Sequence, residues 1–339
     1  MRINYLSLLD PFFYNGGGEK SGRSLLEMGV ARGYEIKFSH VFPKLQIDMF
    51  ESPDLFILTN LFNYGRSRRP WRFRRSFPTE ILEEIITGGR YIHFDNAYCD
   101  VCDQNYLPCN GQEEGDQCPW KSGPIKWLTG STCLKIRTAR IYRNSVLNVF
   151  VSPLHRRIVQ DMLGEEVVGS YYENLNRIDS NLFRNQGFKL ETGAGSYYEH
   201  LDHIDLKLFK NRKKKRDIPF LFVGALHEAK GLEIMRERFA NQDIVLVGSS
   251  PGGKHPGFGR WLGPLPYTEV AILMNRAQHF VFLPRWPEPF GRVVAEAALC
   301  GCELITNDNV GALSFGLDLS QPEVFQDAGT AFWETIDHL

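Results

Sequence analysis

The sequence predicts an α/β protein with two domains, each built on a parallel β-sheet. Short apolar runs alternate with helix-like segments along the chain, and the same pattern starts again in the second half. A length of 339 residues corresponds to about two domains. With 43% hydrophobic residues the chain can bury a large core, which excludes disorder for most of its length.

The first half opens with a strand, a glycine loop, a helix and a second strand. The apolar run Ile3 to Leu9 leads into Asn15-Gly16-Gly17-Gly18, a helix-like stretch extends from Ser21 to Arg32, and Gly33 is placed to end it. This order is typical of an α/β unit. The other elements predicted in this half are strands at residues 34–38, 55–58, 91–94 and 149–151 and helices at 79–86 and 155–163.

The second half repeats this rhythm. A loop is predicted at residues 224–230 and a helix at 231–239, and continuous apolar runs predict strands of a second sheet covered on both faces. The charged run from Asn211 to Arg216 is typical of a solvated linker, so the predicted domains are residues 1–212 and 213–339. The strands are predicted at 220–223, 244–247, 280–283 and 303–306, and a short closing helix at 331–339.

Charge and cysteine content restrict the function classes. Lys and Arg total 39 against 40 for Asp and Glu, so binding to a polyanion would need a local basic patch. No apolar run is long enough to span a bilayer, and the N-terminus lacks a secretory cleavage site. Seven cysteines, an odd number, argue against a disulfide framework. We therefore expect a soluble, cytoplasmic protein, with peripheral membrane association left open.

The segment from Phe280 to Val310 carries the most specific chemistry. A strand ends at Leu283, Glu288 stands just before a helix, and Gly291 opens that helix, whose N–H groups and positive dipole end favour an anion. Glu296 lies one turn into the helix, where a carboxylate accepts hydrogen bonds from a sugar diol. A phosphate ester on a helix N-terminus, with a carboxylate on either side, describes a nucleotide-sugar site.

Glu288 and Glu296 stand in an E-x7-E arrangement, and the chain resembles the retaining GT-B glycosyltransferases, most closely glycosyltransferase family 4. The resemblance implies two Rossmann-like domains facing each other across a cleft, with the nucleotide sugar held mainly by the C-terminal domain. It extends over most of the chain and also rests on Gly16–Gly18, Asn176-Arg177-Ile178-Asp179, Phe222–Gly231, Val247-Gly248, and Leu262–Leu265 followed by Glu269.

The resemblance also implies a role for each matching residue. Glu288 would hold hydroxyls of the transferred sugar, Glu296 would bind the ribose, and Lys230 would neutralise the departing diphosphate. His93 matches the family's histidine near the donor sugar. The remaining donor-binding positions are Gly17 and Gly18 in the first domain, Gly224 in the first loop of the second domain, Gly263 and Leu265 beside the base, and Phe290, Gly291, Arg292 and Val293 at the helix N-terminus.

The reaction implied by the resemblance is hexosyl transfer from a UDP- or GDP-sugar to an acceptor hydroxyl, with retention at the anomeric carbon. It needs neither a carboxylate nucleophile nor a catalytic metal, which distinguishes it from glycosidase chemistry. One departure concerns the diphosphate. Ala225 stands where the family usually has an arginine, so one cation is missing, and Arg292 and Lys254 are the candidates to replace it.

Four cysteines lie close together in a predicted insertion at about residues 96–125. Four thiolates in a polar loop suit a structural zinc site, while unligated thiols and an iron–sulfur cluster are the alternatives. The resemblance does not supply this insertion. Its position just after His93 places it near the expected acceptor side. The four residues are Cys99, Cys102, Cys109 and Cys118.

A basic segment in the first half is a candidate anion-binding surface. Six arginines alternate with Trp71 and Phe73, so guanidinium groups can grip phosphates while the rings stack. The alternative is a solvated loop that offsets acidic surface elsewhere. Nucleic acid, a lipid phosphate headgroup and an acidic glycan all fit. The arginines are Arg66, Arg68, Arg69, Arg72, Arg74 and Arg75.

A tandem repeat precedes the predicted linker. Residues 169–185 recur at 195–211, and eleven of the seventeen positions are identical. Two copies are too few for a solenoid, so we favour a local duplication over an arm for acceptor binding or self-association.

Two alternative functions belong to other classes. A catalytically degenerate GT-B module could bind nucleic acid through the arginine segment and a zinc loop; Ala225 and the short C-terminus favour it, whereas Lys230 and the two glutamates oppose it. A transferase acting on modified bases of DNA or RNA would combine both activities.

Overall fold

The computed structural model describes residues 1–14, 16–61, 77–101, 135–171 and 196–339. The chain divides into two compact units. Unit 1 contains Met1–His200 and Gly329–Leu339, and unit 2 contains Leu201–Ala328. Each unit carries one β-sheet in which all described strand pairs are parallel, as the apolar runs predicted.

Unit 1 contains a seven-stranded sheet in the order β2-β1-β3-β4-β5-β7-β6. The strand order reverses between β1 and β3, so the loops after these two strands border the crevice where α/β proteins bind ligands. The strands are β1 (Arg2–Leu9), β2 (Glu35–Phe42), β3 (Leu55–Thr59), β4 (Tyr91–Asp95), β5 (Leu147–Phe150), β6 (Ser170–Tyr171) and β7 (Ser196–Glu199), and the helices between them are α1 (Gly17–Ala31), α2 (Thr79–Gly88), α3 (Lys135–Asn144), α4 (Pro153–Leu163) and α5 (Glu165–Val168).

Unit 2 contains a five-stranded sheet in the order β10-β9-β8-β11-β12. The order reverses between β8 and β11, which defines a second crevice at the carboxyl ends of these strands. The strands are β8 (Ile218–Val223), β9 (Ile244–Val247), β10 (Arg260–Trp261), β11 (Ala277–Phe282) and β12 (Glu303–Thr306), and the helices are α6 (Leu232–Phe239), α7 (Tyr267–Arg276), α8 (Arg292–Leu299) and α9 (Glu323–Gln326).

The helix α10 (Ala328–Asp337) brings the C-terminus back to unit 1. Trp333 is 1% exposed, and its Nε1 donates to the carbonyl oxygen of Leu25 at 3.1 Å. Gly29 of α1 leaves room for this ring, because a Cβ there would lie 2.3 Å from Trp333. The predicted closing helix therefore exists, and it packs on the first domain's own helix.

The two units divide at His200–Leu201, whereas the sequence predicted a boundary at residues 212–213. The difference has a physical reason. Phe209 is fully buried and its ring packs against Tyr267 at 4.8 Å, and the backbone N–H of Arg212 donates to Asn275. Residues just before the charged run thus belong to the core of unit 2, although the run itself is exposed.

The second copy of the repeat supplies both β7 and the passage into unit 2. β7 pairs with β5, and Glu199 at its end accepts a hydrogen bond from Arg156 at 2.7 Å. Only the first residues of the first copy lie within the described part, and there β6 pairs with β7 at the edge of the sheet. The match to Asn176–Asp179 falls outside the described residues; the equivalent positions of the second copy are Asp202–Asp205.

Candidate functional site

The loops after β8 and β11 form the candidate site of unit 2. They follow the two strands between which the strand order reverses, and each carries one predicted charged residue: Lys230 after β8 and Glu288 after β11. The Nζ of Lys230 donates to Oε2 of Glu288. The two side chains are 16% and 14% exposed, so a largely buried cation and carboxylate meet at the mouth of the crevice.

Aromatic rings line the lysine. Its Nζ lies 5.0 Å from the ring centroid of Trp286 and 5.6 Å from that of Phe282. A cation over such faces is held electrostatically and keeps its stem on an apolar surface. The lysine is therefore fixed within the site and does not extend into solvent.

The loop after β8 is tied to the loop after β11. The backbone N–H of Arg285 donates to the carbonyl oxygen of Ala229 at 3.0 Å. Gly231 has φ +82°, and a Cβ there would lie 2.0 Å from the carbonyl oxygen of Leu283. Only glycine allows this approach, which sets the position of Lys230 relative to Glu288.

The backbone of Glu288 is held from the other side by the loop after β12. Its N–H donates to the carbonyl oxygen of Asn309 at 2.8 Å, and its carbonyl oxygen accepts from the N–H of Gly311 at 3.0 Å. The side chain of Asn309 also bonds to Pro284 at 3.0 Å. Three loops thus fix the carboxylate on a rigid support.

Helix α8 begins four residues after Glu288, with Gly291 as its N-cap at φ +82°. Gly291 provides no side chain to cap the helix. The helix N-terminus carries a partial positive charge, and it follows Glu288 closely along the chain. Phe290 is buried and Val293 is partly buried in the first turn. The predicted helix N-terminus is therefore present.

Arg292 and Glu296 form an ion pair on α8. The Nε of Arg292 donates to Oε1 of Glu296 at 2.9 Å and lies 3.2 Å from the Tyr267 hydroxyl, while Nη1 contacts Oδ2 of Asp202 at 3.1 Å. Glu296 is 0% exposed. The sequence placed Glu296 at a ribose and Arg292 at a diphosphate; the structure shows the two side chains bonded to each other.

The loops at the edge beyond β9 and β10 contain the predicted base-binding residues. The N–H of Gly248 donates to the carbonyl oxygen of Gly263 at 2.9 Å, and a Cβ on Gly248 would lie 1.9 Å from the carbonyl oxygen of Gly224. Gly224, Gly248 and Gly263 therefore lie together, and Leu265 follows, partly exposed. Lys254, the other candidate cation, is exposed in the intervening loop.

His227 is a member of the site that the sequence did not single out. Burial and the positive charge of Lys230 lower its pKa, while the Glu288 carboxylate acts in the opposite direction. Its carbonyl oxygen accepts from the N–H of Lys230 at 3.0 Å. The sequence feature that could have identified His227 is its position in the segment between Gly224 and Gly231.

In unit 1 the glycine loop meets two asparagines. Asn96 follows β4, and its Nδ2 lies 3.3 Å from the carbonyl oxygen of Gly18; Asn60 follows β3 and donates to Oδ1 of Asn96 at 2.5 Å. Gly17 begins α1 with nothing within 4 Å of its Cβ position. The sequence predicted the two glycines but not the asparagines, which become neighbours only because parallel strands end at one edge.

His93 lies inside β4 and is 1% exposed. Its Nε2 is 2.8 Å from Oδ2 of Asp100. Burial alone would lower the pKa of His93, but the hydrogen bond and charge of Asp100, together with the charge of Asp95, raise it. The structure thus places this imidazole in a buried polar cluster and does not bring it to the surface of the crevice.

The fold is similar to that of several solved structures. No protein-family model and no curated protein matches the chain. Among solved structures it is similar to a sucrose-phosphate synthase from Thermosynechococcus elongatus, at 16% identity and TM-score 0.58, over 99% of this chain and 90% of that one. HepE of Anabaena with UDP and glucose follows at 12% identity and TM-score 0.51, over 100% and 91%. The chain has a GT-B fold.

A third structure with a similar fold is the catalytic domain of starch synthase IV from Arabidopsis thaliana bound to ADP and acarbose. The identity is 11% and the TM-score 0.51, over 99% of this chain and 91% of that one. At such identities the likeness concerns the fold, as the two parallel sheets of the GT-B chain already indicate.

Several predicted features fall outside the described residues. They include Cys102, Cys109, Cys118 and all six arginines of the basic segment, while the Cys99 backbone belongs to a short 3-10 turn. Within the described ranges, no group of three or more His, Cys, Asp or Glu side chains is arranged to hold a metal. In the same part of the chain, no helix combines the length and apolar character that a bilayer crossing requires.

Proposed function

We propose that this GT-B chain is a retaining glycosyltransferase that transfers a hexose from a nucleoside-diphosphate sugar to an acceptor hydroxyl. The observation that carries the proposal is the Lys230–Glu288 pair at the reversal of strand order in unit 2, close to the N-terminus of α8. A cation, a carboxylate and a helix N-terminus are the groups that a sugar linked to a diphosphate requires.

Each group has a defined part in the proposed reaction. The bond between the sugar C1 and the diphosphate oxygen breaks, its electron pair stays on the diphosphate, and Lys230 with the N-terminus of α8 stabilises the added charge. The acceptor oxygen forms the new bond to C1 and passes its proton to an oxygen of the departing diphosphate. Glu288 accepts hydrogen bonds from the sugar hydroxyls and thereby orients C1.

Lys230 and Glu288 are paired with each other. When a donor binds, its phosphate oxygens take the lysine and its sugar hydroxyls take the carboxylate, so no buried charge loses its partner. The assignments of Gly224, Gly263 and Leu265 to the nucleotide, of Glu296 to the ribose, and of Gly17 and Gly18 to the diphosphate belong to the same proposal. His93 would act from within β4, as a support for the crevice wall.

Thermal shift with nucleotides is the first experiment. UDP, ADP and GDP, each alone and as its glucose conjugate, form the panel, because HepE and starch synthase IV carry UDP, UDP-glucose and ADP in their structures. A ligand that binds the folded chain alone must raise its melting temperature. We expect a rise with one base. No rise with any member would contradict the proposal and favour the nucleic-acid-binding alternative.

Hydrolysis of the preferred donor then tests the two side chains. Loss of one preorganised charge contact lowers a rate by about 100-fold, so Lys230→Ala and Glu288→Gln should each slow hydrolysis by about that factor. Lys214→Ala and Glu303→Gln are the matched controls. Lys214 is exposed, and Glu303 is 82% exposed at the opposite, amino end of β12. Equal losses in a variant and its control would refute the assignment.

The stereochemistry can be read without knowing the acceptor. Proton NMR of the sugar released early in hydrolysis of an α-linked donor shows which anomer forms first. Retention predicts the α anomer, which then equilibrates with the β anomer. First appearance of the β anomer would show inversion and would contradict that part of the proposal alone.

A further inference from the structure

Arg292 lies in the first turn of α8, the candidate phosphate-binding helix, but its side chain is largely buried. Its guanidinium is 11% exposed and lies between two carboxylates, those of Glu296 within α8 and Asp202 from the segment that enters unit 2. Asp202 is itself 4% exposed. A single guanidinium therefore serves two buried acids.

The two carboxylates reach Arg292 from different parts of the chain: Asp202 lies in the segment that enters unit 2, and Glu296 lies one turn along α8. His203 follows Asp202 along the chain, and burial together with the charge of Arg292 lowers its pKa. Breaking a buried ion pair by removing one partner is costly, so the two carboxylates hold the arginine firmly.

In the candidate donor site, one lysine contacts the predicted sugar-binding carboxylate. Ala225 stands in the loop after β8, and Lys230 is the cation there that contacts Glu288. A diphosphate carries more than one negative charge, and an arginine binds phosphate oxygens through two parallel N–H bonds. Arg292 begins the helix at whose N-terminus the diphosphate is proposed to lie.

We propose that Arg292 is a second diphosphate ligand, held away from the diphosphate position by its ion pairs with Asp202 and Glu296. On donor binding the guanidinium moves to the diphosphate, and the carboxylate that it leaves, Glu296, accepts the ribose hydroxyls. The Arg292–Glu296 pair is thus the counterpart of the Lys230–Glu288 pair, and one donor separates both. This inference rests on the proposed function.

Asp202 opposes this exchange, since it loses its partner and gains none. Removing its charge should therefore strengthen donor binding, an effect opposite in sign to the loss that a purely structural residue would show. The chain itself contains the matched change, because Asn176 stands at the equivalent position of the first repeat copy.

Calorimetric titration of Asp202→Asn tests the inference. The probes are the diphosphate that gives the largest thermal shift among UDP, GDP and ADP, and the nucleoside with the same base. Partly buried ion pairs change affinity by about three- to tenfold, so the variant should bind the diphosphate that much more tightly and the nucleoside as wild type does. Asp202→Asn combined with Arg292→Met should lose the gain.

The control is Asp217→Asn, which breaks an exposed ion pair with Arg276 at 2.7 Å before β8. It should leave both affinities unchanged. Unchanged or weaker diphosphate binding by Asp202→Asn, or a gain that survives Arg292→Met, would overturn the inference while the proposed function stands. Failure of wild type to bind any of the three diphosphates would instead refute the proposed function.

If Asp202→Asn does not fold, Tyr267→Phe provides a second test. It removes the hydroxyl 3.2 Å from Nε of Arg292 and leaves both carboxylates in place. We expect affinity for the diphosphate to rise relative to affinity for the nucleoside, by less than in Asp202→Asn, because Arg292 loses one of the contacts that restrain it. An equal change for both ligands would overturn the inference.

Discussion

Ser170 of β6 and Ser196 of β7 occupy the same position in the two repeat copies and are register partners in a parallel strand pair. Tyr171 and Tyr197 pair in the same way. The duplication therefore added a strand at the edge of the sheet, in the register of the original. β7, from the second copy, holds the inner place beside β5.

Deletion of residues 170–195 should leave a folded protein. The deletion removes the first copy and joins Gly169 to Ser196, and the junction must move by one strand spacing, about 4.8 Å. The contacts made by the second copy, including Glu199 with Arg156 and Phe209 with Tyr267, stay intact. We expect cooperative urea unfolding with little loss of stability.

The matched deletion of residues 186–211 removes the second copy instead. The remaining copy has Asn174 and Asn176 in place of His200 and Asp202, both of which are buried. Losing the ring packing and the ion pair at these positions should cost about 2–4 kcal/mol more than the first deletion. Equal stability of the two deletions would show that the copies are interchangeable and contradict this argument.

The sequence predicted most strands because a covered parallel sheet needs continuous apolar runs. Residues 244–247 and 303–306 match β9 and β12, and 91–94 falls within β4. β7 was missed because Ser-Tyr-Tyr-Glu is only four residues long and shows neither an alternating pattern nor a continuous apolar run. β6 and β10 are two residues long, too short for any periodicity.

The candidate site was predictable where a local motif determines it. Lys230, Glu288 and the start of α8 each stand at a glycine-marked turn between a strand and a helix. Asp202 was not predictable as a partner of Arg292, because ninety residues separate them and nothing local marks the contact. For His93, the sequence predicted the strand that contains it but not the burial of its imidazole against Asp100.

Trp333 should carry much of the stability that α10 gives to unit 1. Its ring fills the space above Gly29 and lies 5.0 Å from that of Tyr34, and its N–H bonds to Leu25. Truncation of a buried tryptophan costs about 3–5 kcal/mol, so Trp333→Ala should lower the urea midpoint by a corresponding amount. Glu334→Ala, exposed on the same helix, is the control. Similar losses in both would argue against the packing described.

His155, near the start of α4, should make the fold sensitive to acid. It is fully buried, with Nε2 3.6 Å from Oδ2 of Asp95. Burial, with the positive charge of His93, lowers its pKa from 6.5 to about 3. Between these values the unfolded chain binds a proton that the folded chain does not. The stability contributed by this residue is therefore complete above pH 6.5 and is lost as the pH falls.

His155→Gln and His155→Phe both remove the titrating ring, with opposite effects on polarity. The unfolding free energy of each variant minus that of wild type should rise by about 2 kcal/mol as the pH falls from about 8 to about 5. This holds whatever the stability of the variant at neutral pH. Burial raises the pKa of Asp95, which favours the folded chain as the pH falls, but wild type and variants share this effect, so it cancels in the difference. Urea unfolding at several pH values measures that difference. A constant difference would mean that His155 takes up a proton in the folded chain, and the buried cluster around His93 would then have to accommodate a second positive charge.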